Sequence, residues 1–506
     1  MGRHIPDAQA YQKIVGTFKK HKSGITLADV AAGTGIGLAR VKELVPLAAD
    51  EYSARLEVTE SGEILYSFPQ GFSSRYRGLA PALKNFSSAF AGFAAAAGKL
   101  LFKAWIMAML FGYFLLFIAI ALGALVLSMA ARNNRSGGGS SGGSMASFGI
   151  FNLIIRLWFY SELMNAASGR RSAWDARPAG GASGGRKKGR PLHKAIFSFV
   201  FGDDDPNKDH ETLEKKEFVA YIRARRGVVS LPELMIIAGQ TPQTAESRIT
   251  KLCAEFGGSP EVTEEGTIVY RFDEILLSGE AKNSGGAGGV SGPVAPLEKK
   301  LRVFSANPGK MNFWFAVING VNLLFGSYFL YSSVAVGSIA FIPEAASQEV
   351  PGIYGMVYYF LSMMGTNPLP AIQIGLGLVP LLFSALFWLV PALRSLMVKK
   401  ENDEIRMGNF RGLFYSRIWA DPESFAPAGI DIRGDQRRPR DIAAAKDAAL
   451  KEMGAYSLPH VALDEGRREV FGFRELRREK DALEKYRRTI DMQKAMTGKT
   501  VFDSGA

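Results

Sequence analysis

The stretch "EVTESGEILYSF" (residues 57–68) alternates apolar and polar positions on either side of Gly62, the pattern of two short strands joined by a tight turn. Residues 261–272 read "EVTEEGTIVYRF". Glu, Val, Thr, Glu, Gly, Ile, Tyr and Phe recur in the same order, 204 positions later. A hairpin written twice at this distance points to a repeated module, with its turns at Gly62 and Gly266.

Upstream of the first hairpin, "AQAYQKIVGTFKKH" has a helical pattern and Gly24-Ile25 reads as a short extended piece. Thr26 with Asp29 three residues on is a capping-box start for a second helix, which continues through Leu27, Val30 and Ala31. "GTG" (33–35) turns the chain. A third helix is expected to run to about Tyr52, with Leu44, Leu47, Ala48 and Tyr52 on one face and a kink at Pro46. Leu56 and Val58, then Ile64, Tyr66 and Phe68, point inward. In the second copy Ser230 and Glu233 form the capping box, and Leu231 and Leu234 match Leu27 and Val30. Ile249, Leu252, Cys253 and Phe256 match Leu44, Leu47, Ala48 and Tyr52. The expected module cores are therefore Leu44, Leu47, Tyr66 and Phe68 in one copy, and Ile249, Leu252, Tyr270 and Phe272 in the other. The order helix, short strand, helix, helix, hairpin resembles the winged-helix domain, over residues 1–69 and 213–277. A degenerate third copy is expected at 401–473, where "VALDEGRREVFGF" imitates the hairpin. An amphipathic helix follows at 474–496, with Leu476, Leu483 and Ile490 seven apart.

Three stretches between the modules carry no charge: 105–131, 313–342 and 369–393. Each is long enough to cross a hydrocarbon layer of about 30 Å as a helix. Residues 148–164 form a fourth apolar stretch with Arg156 at its middle, which costs about 2.5–3.5 kcal/mol on insertion scales. It reads as a second span or as an interfacial helix with a snorkelling arginine. Basic residues fill the linkers at 70–104 and 166–212, and Lys299, Lys300 and Arg302 end the Gly-rich linker 278–312. The loop between 343 and 368, with an interfacial segment at 353–364, has only acids. Positive charge marks the cytoplasmic side, so the expected order is in, out, in, out, in. The fold class is thus an α-helical transmembrane bundle plus α+β winged-helix-like cytoplasmic modules. The expected setting is a bacterial inner membrane, with N- and C-termini cytoplasmic. No apolar signal segment is visible in the first residues. The doubled "EVTE-x-G" hairpins and "FSFVFGDDDPN" (197–207) resemble a largely uncharacterised family of bacterial multi-pass membrane proteins with plastid relatives. The resemblance implies architecture and carries no activity.

A net charge of +13 invites nucleic acid as a partner. Its placement argues otherwise. Residues 24–69 and 228–273 each hold three basic and seven acidic residues, a net charge of −4. Such modules repel a polyanion, although Gln243, Ser247, Arg248 and Lys251 form a small reading face in the second copy. The positive linkers suit anionic lipid headgroups instead.

For metals, Asp203, Asp205, Asn207, Asp209, Glu211 and Glu214 fall on Ca²⁺-loop positions, but Lys208 stands where the sharp turn needs Gly. The five histidines are dispersed, and "GTGIG" lacks the spacing of a nucleotide fingerprint. Cys253 reads as core. No nucleophile–base pair stands out, so neither an enzyme nor a cofactor is expected. Arg156, Asn319 and Asn322 are polar residues inside the spans. They line a pathway if 352–370 dips into the bilayer, or bond between helices if it does not. The expected function is a multi-pass scaffold or adaptor whose modules contact proteins or self-assemble. The alternatives are an ion channel or transporter and a membrane-tethered DNA-binding regulator.

Overall fold

The computed structural model describes residues 7–20, 24–69, 72, 79–133, 191–276, 294–339, 352–427, 439–463, 469–490 and 500–504. These residues are mostly helical, with small antiparallel sheets. The chain divides into two compact units. One gathers Met1–Lys84, Asp205–Leu301 and Glu401–Ala506; the other holds Asn85–Asp204 and Arg302–Lys400.

The first unit begins with α1 (Asp7–Lys20), α2 (Leu27–Thr34), α3 (Leu38–Glu51), β1 (Arg55–Thr59) and β2 (Ile64–Ser67). In chain order α4 (Leu79–Asn133) and α5 (Leu192–Phe201) follow. The unit resumes with α6 (His210–Ala224), β3 (Val228–Val229), α7 (Leu231–Ala238), α8 (Pro242–Phe256), β4 (Ser259–Val262), β5 (Ile268–Arg271) and α9 (Asp273–Leu276). The two hairpins pair in the same register. Arg55 faces Ser67 and Val58 faces Ile64; Ser259 faces Arg271 and Val262 faces Ile268. Gly62 and Gly266 turn them at φ +79° and +83°, which L-residues rarely adopt. In each copy a short upstream piece joins the second hairpin strand: Ile25 bridges Tyr66, and Val229 pairs with Tyr270.

The helix starts follow the sequence. The Thr26 hydroxyl accepts from the Asp29 N–H at 3.1 Å, and the Thr26 N–H donates back to the Asp29 carboxylate. Each first helix of the pair ends on a left-handed glycine, Gly35 or Gly239. The third helix corrects the expected alignment. The offset of 204 runs through α3 and α8 unbroken, so Val41, Val45 and Ala48 correspond to Ala245, Ile249 and Leu252, and all six are buried. Matching Leu47 to Leu252 slips the register by one residue. Leu47 instead corresponds to Lys251 and is 60% exposed. It is not a core residue, and Cys253 corresponds to Ala49. Leu44, Tyr66, Ile249, Leu252 and Phe272 are buried, with Phe68 and Tyr270 packed against them. Ile64 is exposed rather than inward. Helix α3 continues through Pro46 to Glu51.

The second unit contains most of α4, then α5, α10 (Gly309–Ile339) and α11 (Gly352–Met363). A turn at Pro368–Pro370 and a π-helical stretch, Ala371–Leu378, lead into α12 (Val379–Ala420), whose residues from Glu401 onward belong to the first unit. Three helices among the described residues are long and apolar enough to cross a membrane: Leu101–Val126, Gly309–Val336 and Pro368–Ala420. The first and last outrun the expected limits. Residues 79–104 are helical rather than a linker, and the expected third module at 401–473 begins inside α12, which runs unbroken to Ala420. Helix α10 packs closely on the π-helical stretch, because Gly326 and Gly377 lie at the contact. A Cβ on Gly377 would stand 2.9 Å from the Leu330 Cα.

The chain closes the first unit with α13 (Pro439–Tyr456), β6 (His460–Leu463), β7 (Glu469–Gly472), α14 (Arg474–Thr489) and β8 (Thr500–Asp503). Strands β6 and β7 form a third hairpin, and Phe425 bridges Phe471 as Ile25 bridges Tyr66. Strand β8 adds to β1, giving the order β2-β1-β8. Residues from all three chain segments share one hydrophobic core, including Ile14, Val45, Phe218, Ile249, Phe414 and Leu483. Part of the expected flexible linker belongs to this unit. Val294 is buried, the Leu297 N–H donates to the Ile237 carbonyl at 2.9 Å, and Lys299 and Asn409 exchange two hydrogen bonds. Residues 148–164 with Arg156, and the Gly-rich linker stretches before Leu192 and before Val294, lie outside the described residues.

Candidate functional site

In the first unit the charged side chains are spent on one another. Asp29, the cap of α2, pairs with Arg223 of α6 at 3.0 Å. Glu233, the cap of α7, is 1% exposed and pairs with Arg487 of α14 at 2.7 Å; Arg487 is itself 5% exposed. The same guanidinium donates to the Val228 carbonyl at 2.7 Å and 3.2 Å and to Glu484 at 3.1 Å. The other Glu233 oxygen accepts from the Tyr221 hydroxyl at 2.6 Å. Every charge in this cluster has a partner of opposite sign or a hydrogen bond, the condition for burying charge at tolerable cost. Leu476 and Leu483 of α14 lie in the core, so the heptad-like stripe docks α14 on its own unit.

A second knot joins α12 and α13. Arg411 makes two parallel 2.7 Å hydrogen bonds to Glu452, which also accepts from Tyr415 at 2.9 Å. Beside it the Tyr456 hydroxyl donates to the Glu479 carboxylate at 3.0 Å and 3.1 Å. Burial, with Glu233 nearby, pushes Glu479 up to about 7. Burial also raises the Cys253 thiol to about 11, as befits a packed residue rather than a nucleophile.

The would-be reading face loses its main charge. Arg248 donates to Glu214 at 3.1 Å, and the Ser247 hydroxyl turns back to the Gln243 carbonyl. The start of α3 also meets α8: a Cβ on Gly37, its N-cap, would stand 3.1 Å from the Glu255 carbonyl of α8. The third helices of the two copies meet each other.

Five of the six Ca²⁺-loop candidates have other partners. Asp203 accepts from the Ser198 hydroxyl at 2.6 Å and the Ala306 N–H at 2.7 Å. Asp205 accepts from the Asn207 N–H, and Asn207 holds both backbone groups of Lys300. Asp209 precedes α6, while Glu211 and Glu214 lie beside Arg248. Among the described residues no group of three or more His, Cys, Asp or Glu could hold a metal ion. Asp203 and Asp205 thus serve a helix end and a turn, while Glu211 and Glu214 serve ion pairs.

In the second unit "FSFVFGDDD" has a structural use. Arg394 donates to the carbonyls of Phe304 and Phe199 at 2.6 Å and 2.8 Å, capping the end of α5, and stacks 4.2 Å over the Phe304 ring. Asn319 and Asn322 are both fully buried on α10. Asn319 donates to the Ser384 carbonyl of α12 at 3.0 Å, and Asn322 to the Leu110 carbonyl of α4 at 2.9 Å. Three helices are therefore tied by two amides, one turn apart. An open apolar crevice of about 710 Å³ lies between α4, α11 and the π-helical stretch. Gly112, Gly123, Ala371 and Gly375 make its room, and its neighbour Tyr113 donates to the Gly375 carbonyl at 2.8 Å. Sequence reasoning found the asparagines but neither the crevice nor the Arg487 cluster. The signal for the latter was an arginine at the buried phase of a strongly amphipathic helix.

No family model matches the chain, and no solved structure matches it. It is similar to an uncharacterised chloroplastic protein of Arabidopsis thaliana, 25% identical over 440 residues that cover 84% of this chain and 73% of that protein. A chloroplastic relative does not fit the expected bacterial inner membrane. What stands is the coarser statement that three helices could cross a membrane.

Proposed function

We propose that the chain is a multi-pass membrane scaffold whose winged-helix-like modules form one rigid body for protein contact or self-assembly. The observation that carries this reading is the common core of three segments separated by apolar helices. Modules on free tethers would keep separate cores; these share one, cross-linked by Arg223–Asp29 and Arg487–Glu233. A body of this kind presents hairpins outward. Against DNA recognition stand the net charge of −4 on each module, the Arg248–Glu214 pair and the contact of α3 with α8. Against an ion pathway stands the use of both intramembrane asparagine N–H groups in interhelical bonds.

The shared core also supports the topology. Segments that fold together lie on one face of a membrane. Residues 84 and 205 then need an even number of crossings between them. Helix α4 supplies one, and 148–164 is the apolar stretch left for the second. Its Arg156 would face a polar partner, and the basic linkers around it would meet anionic headgroups.

Gentle solubilisation tests the function. The protein should run as a defined oligomer or carry a co-purifying protein; a lone monomer without a partner refutes the scaffold. For the topology, cysteines replacing Ser140 and Ser183 in a Cys253→Ser background should label from opposite faces. Labelling from the same face removes the second span.

A further inference from the structure

Among the described residues the first hairpin holds an added strand on its β1 edge and the second holds none on the matching β4 edge, although their registers agree. Strand β8 runs antiparallel to β1, pairing Asp503 with Glu57 and Phe502 with Val58, with a bulge before Thr59. The outward backbone of Leu56 is fully used: its N–H donates to the Ser504 hydroxyl at 2.8 Å, and its carbonyl accepts from the Ser504 N–H at 2.9 Å. Arg55 grips Asp503 through two of its nitrogens, one at 2.7 Å. Little else holds the strand, because Val501 and Phe502 are 70% and 60% exposed. A short segment held by backbone bonds, one ion pair and hydroxyl contacts of Ser504 and Thr500, with Val501 and Phe502 in solvent, belongs to the low-stability end of a structure.

The second copy closes the same edge chemically. Pro260 stands at the position of Leu56, facing Tyr270 as Leu56 faces Tyr66. The N–H that Leu56 turns outward is missing from proline, and proline is a recurrent means of blocking strand addition at a sheet edge. Ser259 replaces Arg55 and removes the cation. In the third hairpin His460 stands there, without a guanidinium fork.

We propose that the outer edge of β1 is a peptide-acceptor site for an extended protein segment of the order apolar, acid, hydroxyl, and that Thr500–Ser504 is its resident, displaceable occupant. Backbone bonds to Leu56 supply affinity, and Arg55 selects the acid, the division of labour in strand addition. The edge would be the docking point of the scaffold and rests on that reading. The two fail separately, since a scaffold can assemble through another surface while this edge takes no peptide.

The test uses the full-length chain in nanodiscs and a fluorescent peptide, KTVFDSG, the sequence of residues 499–505, followed by anisotropy. Asp503→Lys in the chain should loosen the resident strand and raise peptide affinity by about tenfold or more over the wild type. Adding Leu56→Pro to that variant should abolish the gain, and Leu56→Ala, which keeps the N–H, should retain it. A peptide with lysine in place of its aspartate should not bind. Equal binding to wild type and Asp503→Lys, or unchanged binding after Leu56→Pro, overturns the proposal.

Discussion

Residues 24–68 and 228–272 share a fold but differ in what they are anchored to. In the first copy the capping acid Asp29 reaches Arg223 in the next module; in the second, Glu233 reaches Arg487 beyond the third hairpin. The first pair is half-buried and the second almost sealed. The first copy keeps an open hairpin edge and fills it with β8; the second has Pro260 there. At the end of the third helix Ser53 is held at φ +51°, where the second copy has Gly257 at φ +70°. The lesson is that two segments of like element order differ most in the surfaces they turn toward other parts of the chain, while their hairpin registers agree.

The largest expected effect separates the two anchors. Arg487→Ala strands Glu233 without its partner and should cost about 3–5 kcal/mol, the range for breaking a buried pair. Arg223→Ala leaves Asp29 closer to solvent and should cost about 1 kcal/mol. Denaturant midpoints of the solubilised protein measure both. Equal losses would mean that burial does not distinguish the copies.

A smaller effect is pH-dependent. Glu479 holds its proton up to about pH 7 in the folded chain because it is buried, well above its ordinary range. The native state therefore binds more protons than the unfolded chain between those values, and stability falls as pH rises through about 7. The fall should be about 1–3 kcal/mol, and Glu479→Gln should flatten it. A Glu479→Gln profile parallel to the wild type would show that the carboxyl is ionised in the fold.

The smallest effect makes the first copy resemble the second. Ser53→Gly removes the left-handed strain and should stabilise by about 0.5–1 kcal/mol, read as a rise in thermal midpoint. Gly257→Ser should do the reverse, because φ there is +70° and an L-residue is strained in that conformation. No change at either site would mean the backbone relaxes locally.

Much of this was legible in the residues. Hairpin register followed from alternation and from Gly62 and Gly266, because side chains in a strand repeat every two residues and a slip would invert the faces. Helix starts followed from Thr26–Asp29 and Ser230–Glu233. The error at Leu47 came from aligning helices by apolar residue type, when a period of 3.6 lets a one-residue slip still look apolar. The constant offset of 204 contained the right answer, since it sets Leu47 against Lys251. The acidic run after Phe201 fell on Ca²⁺-loop positions, and Lys208 in place of the turn glycine was the residue that argued against a chelating loop.

The sequence by itself determined the local elements, the repeated hairpin and the apolar helices, since each depends on neighbours within a few residues. Only the tertiary structure decided that three distant segments share one core, that Arg487 completes the cap of α7, and that Thr500–Asp503 lies along β1. Those contacts join residues up to 448 positions apart. Their partners are chosen by burial and by unfilled backbone groups, which no local pattern encodes.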